Sequence, residues 1–124
     1  MKTSTTISVS SAIEIATGLA LLAVPGLVAH VLLGTGLADS GIAVARLAGC
    51  GLLSLGLACW SGNNEFASSA TRALFVYNLL AGLYLGYLRV GGGFVSLLLW
   101  PACALHVAIA ILLARPAYEF LRRD

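Results

Sequence analysis

Between Glu14 and Asp39 the chain carries no charged side chain, and that stretch does more than any other feature to limit the available folds. It is longer than the roughly 20 residues a helix needs to cross the hydrocarbon core of a bilayer. The remainder of the chain fits the same environment. Charged residues make up 10% of the 124 positions and hydrophobic residues 60%, whereas a soluble domain charges about 25% of its residues. So few charges cannot cover a water-facing surface, but lipid accepts an apolar exterior.

The fold class this implies is all-α, an integral membrane four-helix bundle in a single domain over 1–124. The helices are expected at about 12–33, 41–60, 68–88 and 94–114, with a short amphipathic tail over 115–124. Ser11-Ala12-Ile13-Glu14 has capping-box spacing and marks the start of the first helix. Pro25-Gly26 should kink that helix. Asp39 or Ser40 can cap the second. A polar turn follows at 61–65. Gly91-Gly92-Gly93 ends the third helix, and Arg115-Pro116 is expected to stop the fourth. The weakly charged start, with Lys2 its only base, and the long apolar run after it suit a retained span better than a cleaved signal peptide.

With four spans, both termini and the second turn share one side. That side holds Lys2, Arg72, Arg115, Arg122 and Arg123, against Arg46 and Arg89 on the other. The excess of basic residues places both termini in the cytoplasm. Trp60, Tyr87, Trp100 and Tyr118 fall near span ends, where aromatic belts form. Small residues provide faces for close helix packing. Ala45, Gly49 and Gly56 share one face of the second helix, and Gly82 and Gly86 form a GxxxG on the third. The GxxxG face can serve another helix of this chain or self-association with a second protomer.

Each polar residue at membrane depth has two readings. Arg46 is either an anchor for an anionic ligand or a side chain that snorkels outward or pairs with Asp39. His106, five residues after the helix-distorting Pro101, is either a proton relay or ligand contact, or a neutral imidazole bonded across the bundle to Asn78 or a tyrosine. Glu14 is either a proton carrier or the capping-box acid, and the cap explains it more cheaply. Tyr77, Tyr84 and Tyr87 fall on nearly one face and read as packing. The candidate ligand-binding residues are therefore Arg46, Asn78, His106 and His30.

A bis-histidine haem between His30 and His106 would place its ligands roughly 10 Å apart in depth, by helical rise, whereas axial ligands sit level. Two histidines and a cysteine also fall short of the usual zinc set. No metal or cofactor is expected. Cys50, Cys59 and Cys103 form no CxxC pair and read as packing residues. No nucleophile–base pair or phosphate-cradling loop is present, so no catalytic residue is expected, and the net charge of +2 gives no basis for a nucleic-acid partner.

The pattern resembles small bacterial four-helix membrane proteins of the DoxX-like type. The resemblance rests on Glu14-Ile15-Ala16-Thr17-Gly18, Pro25, Ala45-Arg46-Leu47-Ala48-Gly49, Leu99-Trp100-Pro101-Ala102 and His106. It covers most of the chain and implies a four-helix fold in a bacterial inner membrane, but no catalytic residue. The leading functional expectation is a non-enzymatic accessory or assembly subunit of a membrane complex, with lipid and other membrane subunits as partners. The alternative is a small transporter, channel or lipophilic-ligand binder whose cavity is lined by Arg46, Asn78, His30 and His106. A haem-bearing redox subunit is a weaker third reading.

Overall fold

The computed structural model describes residues 2–60 and 67–121; the expected turn at 61–65 lies outside them. The described chain folds into five helices: α1 Thr3–Ala23, α2 Pro25–Leu33, α3 Asp39–Trp60, α4 Ala67–Val90 and α5 Leu99–Leu121. Four of them, α1, α3, α4 and α5, are long and apolar enough to cross a membrane. The exterior matches: Val44, Leu47, Leu80, Leu83 and Ile111 are all exposed.

The first expected helix differs in two ways. It begins at Thr3, well before the position its capping box marked, and it is broken in two. Val24 leaves the helical region (φ −136°, ψ 55°) and Pro25 opens α2 at its first turn. Proline has no N–H to give to the preceding turn, and its ring crowds the carbonyl four residues back. The expected kink is therefore a full break. Gly34 ends α2 in the left-handed region (φ 74°), and its N–H bonds to the His30 carbonyl.

α1 and α3 pack antiparallel through glycine. A Cβ on Gly18 would stand 2.6 Å from the Leu53 nitrogen and 2.8 Å from the Gly49 oxygen, and one on Gly56 would stand 2.8 Å from the Ser11 oxygen. No side chain fits at that separation, so the backbones touch directly. α4 and α5 form the second antiparallel pair. Gly82 meets Val107, and Gly86 meets the Cys103 Sγ at 3.6 Å, so the GxxxG face is occupied by α5 of the same chain.

α5 departs from the expected 94–114. Residues 94–98 form a non-helical strap that turns at 97–98, and the helix starts at Leu99. Pro101 therefore lies in the first turn, where its missing N–H would have had no partner in any case, and it distorts nothing. Pro116 does not stop the helix, which runs on to Leu121 with Ala117 buried and Arg115 Nε paired to Glu119 Oε1 at 2.9 Å. The separate tail expected from 115 is thus helical through Leu121. Ser96 of the strap donates to the Val31 carbonyl and fastens the strap to α2.

Between the two pairs, Ile7, Cys59, Ala70, Leu74, Ile109 and Leu113 form one apolar cluster. They come from the start of α1, the end of α3, the start of α4 and the second half of α5. The core therefore fills the end of the bundle where both chain termini lie.

Candidate functional site

Above that core the two pairs meet through polar side chains. Thr6, Ser10 and Glu14 follow each other at four-residue intervals along α1, and all are buried, as is Ser11. Four-residue spacing places them on one face, which is turned toward α4 and α5. α4 contributes Asn78, which is fully buried. Its Nδ2 donates to Ser10 Oγ at 3.1 Å and to the Leu74 carbonyl at 2.8 Å. Its Oδ1 lies 2.8 Å from Nδ1 of His106 on α5. A hydrogen-bonded chain thus runs from α1 through α4 to α5. The Tyr77 ring packs edge-on to the His106 ring with centroids 5.7 Å apart.

Glu14 corrects the sequence reading. It is 1% exposed and lies well inside α1, so it caps nothing. Among the described residues neither carboxyl oxygen has a partner at full hydrogen-bond geometry, and the same holds for Ser11 Oγ. The Tyr77 phenol is the polar group that approaches the carboxyl from α4. The Ser-x-x-Glu pattern is shared by helix caps and by polar interior faces. The Thr6-Ser10-Glu14 spacing was the signal that distinguishes them, and it was missed.

The break at Val24 has a geometric consequence. Between α1–α2, α4 and α5 lies a cleft of about 390 Å³, bounded by Leu27, Val28 and Val31 of α2, Leu85 of α4, Leu98 of the strap and His106 of α5. Thr17 also lines it, and the remaining wall is apolar. The volume is within the range of small-molecule sites, which are mostly apolar with a few placed polar groups.

Of the four candidate residues, the fold brings together two. Asn78 and His106 are bonded, and His106 reaches the cleft. His30 is exposed on α2 and Arg46 is exposed on α3, and neither lines the cleft. Arg46 makes no ion pair with Asp39 among the described residues. Tyr84 and Tyr87 are exposed and stacked on each other at 6.3 Å, apart from Tyr77. The three cysteines are free, and among the described residues no three metal-ligating side chains converge.

No protein-family profile, curated protein or solved structure matches this chain.

Proposed function

We infer that the chain is a multi-pass membrane protein that holds a lipophilic small molecule in the cleft between α2 and α5. The observation that carries this reading is His106, set into a wall that is apolar apart from Thr17 and held from behind by Asn78. An apolar pocket with a single oriented polar group suits a ligand with a hydrocarbon body and one hydrogen-bonding head. Arg46 and His30 have no part in it.

The accessory-subunit reading would gain from small-residue faces turned outward. Gly18, Gly49, Gly56, Gly82 and Gly86 all meet neighbours within the chain, which leaves that reading without those faces. The excess of basic residues at the terminal end supports cytoplasmic termini, and the DoxX-like resemblance supports a bacterial inner membrane.

Purification in mild detergent, organic extraction and mass spectrometry test the reading. The native protein should release an amphiphile that Ala102→Phe does not, because Ala102 lines the cleft and a phenyl ring there occupies its volume. Identical extracts from both proteins, containing bulk lipid alone, would count against a cleft ligand.

A further inference from the structure

We propose that the cleft selects ligands whose head donates a hydrogen bond, an aliphatic alcohol or a phenol, over heads that only accept one, such as a ketone or an ether. The inference rests on the cleft reading and adds the polarity of the head.

The Leu74 carbonyl can only accept a hydrogen bond. The amide atom of Asn78 that faces it at 2.8 Å must therefore be the nitrogen. That fixes the orientation of the side chain without appeal to anything else. The two hydrogens of Nδ2 go to Leu74 and Ser10. Oδ1 has no hydrogen to give, so across the 2.8 Å contact His106 Nδ1 must donate. With its single proton on Nδ1, the neutral imidazole presents a lone pair at Nε2. Nε2 has no protein partner among the described residues, and it is not among the buried unpartnered atoms. It is therefore accessible, on a ring that lines the cleft. The buried Asn78 thus determines, through the ring, that the cleft offers an acceptor. Among the described residues the other polar group on the wall is the Thr17 hydroxyl, which can donate or accept and so favours neither kind of head.

The site discriminates by what a wrong head leaves unmade. An ether or ketone placed against Nε2 sets two lone-pair groups face to face and satisfies neither. One neutral hydrogen bond in an apolar site corresponds to about five- to tenfold in affinity.

The test uses the full chain in lipid nanodiscs with three decyl probes. They carry the same mid-chain diazirine and end in a hydroxyl, a methyl ether or a methyl ketone. After photolysis, labelling of peptides from α2 and α5 is quantified against probe concentration. The alcohol should half-saturate at about five- to tenfold lower concentration than the other two, and His106→Phe should remove the difference. Equal half-saturation in the native protein, or a tighter ketone, overturns the donor preference while leaving the cleft reading in place. Labelling confined to lipid-facing residues with all three probes overturns both. Because His106→Phe also strands Asn78, ¹⁵N spectra of histidine-labelled native protein provide a readout free of folding effects. His106 should show a protonated Nδ1 and an unprotonated Nε2, and the opposite tautomer or a doubly protonated ring overturns the proposal.

Discussion

A carboxyl group that is 1% exposed, with the Tyr77 phenol directed at it but neither oxygen in a well-formed hydrogen bond, is costly to the fold, because its desolvation is only partly offset. Replacing both oxygens with apolar atoms of similar volume removes that cost and leaves no cavity. Glu14→Met should therefore raise the thermal midpoint followed by circular dichroism, by the equivalent of about 1–3 kcal/mol. Glu14→Ala, which leaves a void, should lower it. A fall with methionine would show that the carboxyl is engaged, by the Tyr77 phenol or by something bound. Asn78 behaves in the opposite way, since every polar hydrogen and its acceptor oxygen are in use. Asn78→Leu leaves Ser10 and His106 Nδ1 without that partner and should cost about 1–3 kcal/mol. Adding His106→Leu to it should cost less than the sum of the two single changes, because bonded residues couple. At this scale the sequence was informative where a residue type is rare in its surroundings. Asn78 and His106 stand out in apolar runs, and a hydrogen bond between them is one of the two readings their positions allow. Glu14 was misassigned because a local four-residue pattern fits a cap equally well, and only the face it shares with Thr6 and Ser10 separates the two.

Helix contacts in this protein depend on backbone proximity more than on side-chain interlocking, and the glycines are not equivalent. Gly18 and Gly56 leave less than 3 Å for an added Cβ, with backbone atoms of the partner helix in the way, whereas Gly26 has nothing within 4 Å and Gly86 meets only Cys103 Sγ at 3.6 Å. Gly18→Ala and Gly56→Ala should each push α1 and α3 apart and cost about 1–3 kcal/mol, the usual cost of overpacking. Gly86→Ala should be close to neutral. Gly26→Ala should be neutral or stabilising by up to about 1 kcal/mol, from helix propensity. Detergent-denaturant melts of the four variants would check the ranking, and equal losses at all four positions would contradict it. The small-residue faces were legible from sequence because small residues recurred at helical spacing. Their partners were not, because α1 contributes only Gly18 to its side of the contact. Proline was the least legible element signal. The residue type is the same at 25, 101 and 116, but the effect depends on the carbonyl it faces. At Pro25 a helix breaks, at Pro101 a first turn loses nothing, and at Pro116 α5 continues to Leu121.

Seen as a whole, the molecule is layered from one end to the other. The apolar cluster around Leu74 and Leu113 fills the end that holds both termini. The Ser10–Asn78–His106 chain crosses the middle. Beyond it the pairs diverge around the cleft, which the strap fastened by Ser96 borders at the far end. On the proposed multi-pass reading, the solid end and the open end face opposite sides of the membrane. The expectation from charge for which side is which does not depend on the shifted helix boundaries. An even number of spans puts the termini together, and no basic residue changes sides when α1 starts at Thr3 or α5 ends at Leu121. With Lys2, Arg72 and Arg115 at the packed end, the positive-inside rule predicts that end in the cytoplasm and the cleft toward the outer leaflet. Two single-cysteine variants, in a background with Cys50, Cys59 and Cys103 replaced, decide it. Gly36 is in the open turn between α2 and α3, where an added side chain meets nothing, and Glu119 is exposed near the end of α5. In intact cells a membrane-impermeant maleimide should label Gly36→Cys and leave Glu119→Cys unmodified until the membrane is permeabilised. The reverse pattern would place the cleft in the inner leaflet, so that its ligand would have to come from the cytoplasmic side of the bilayer.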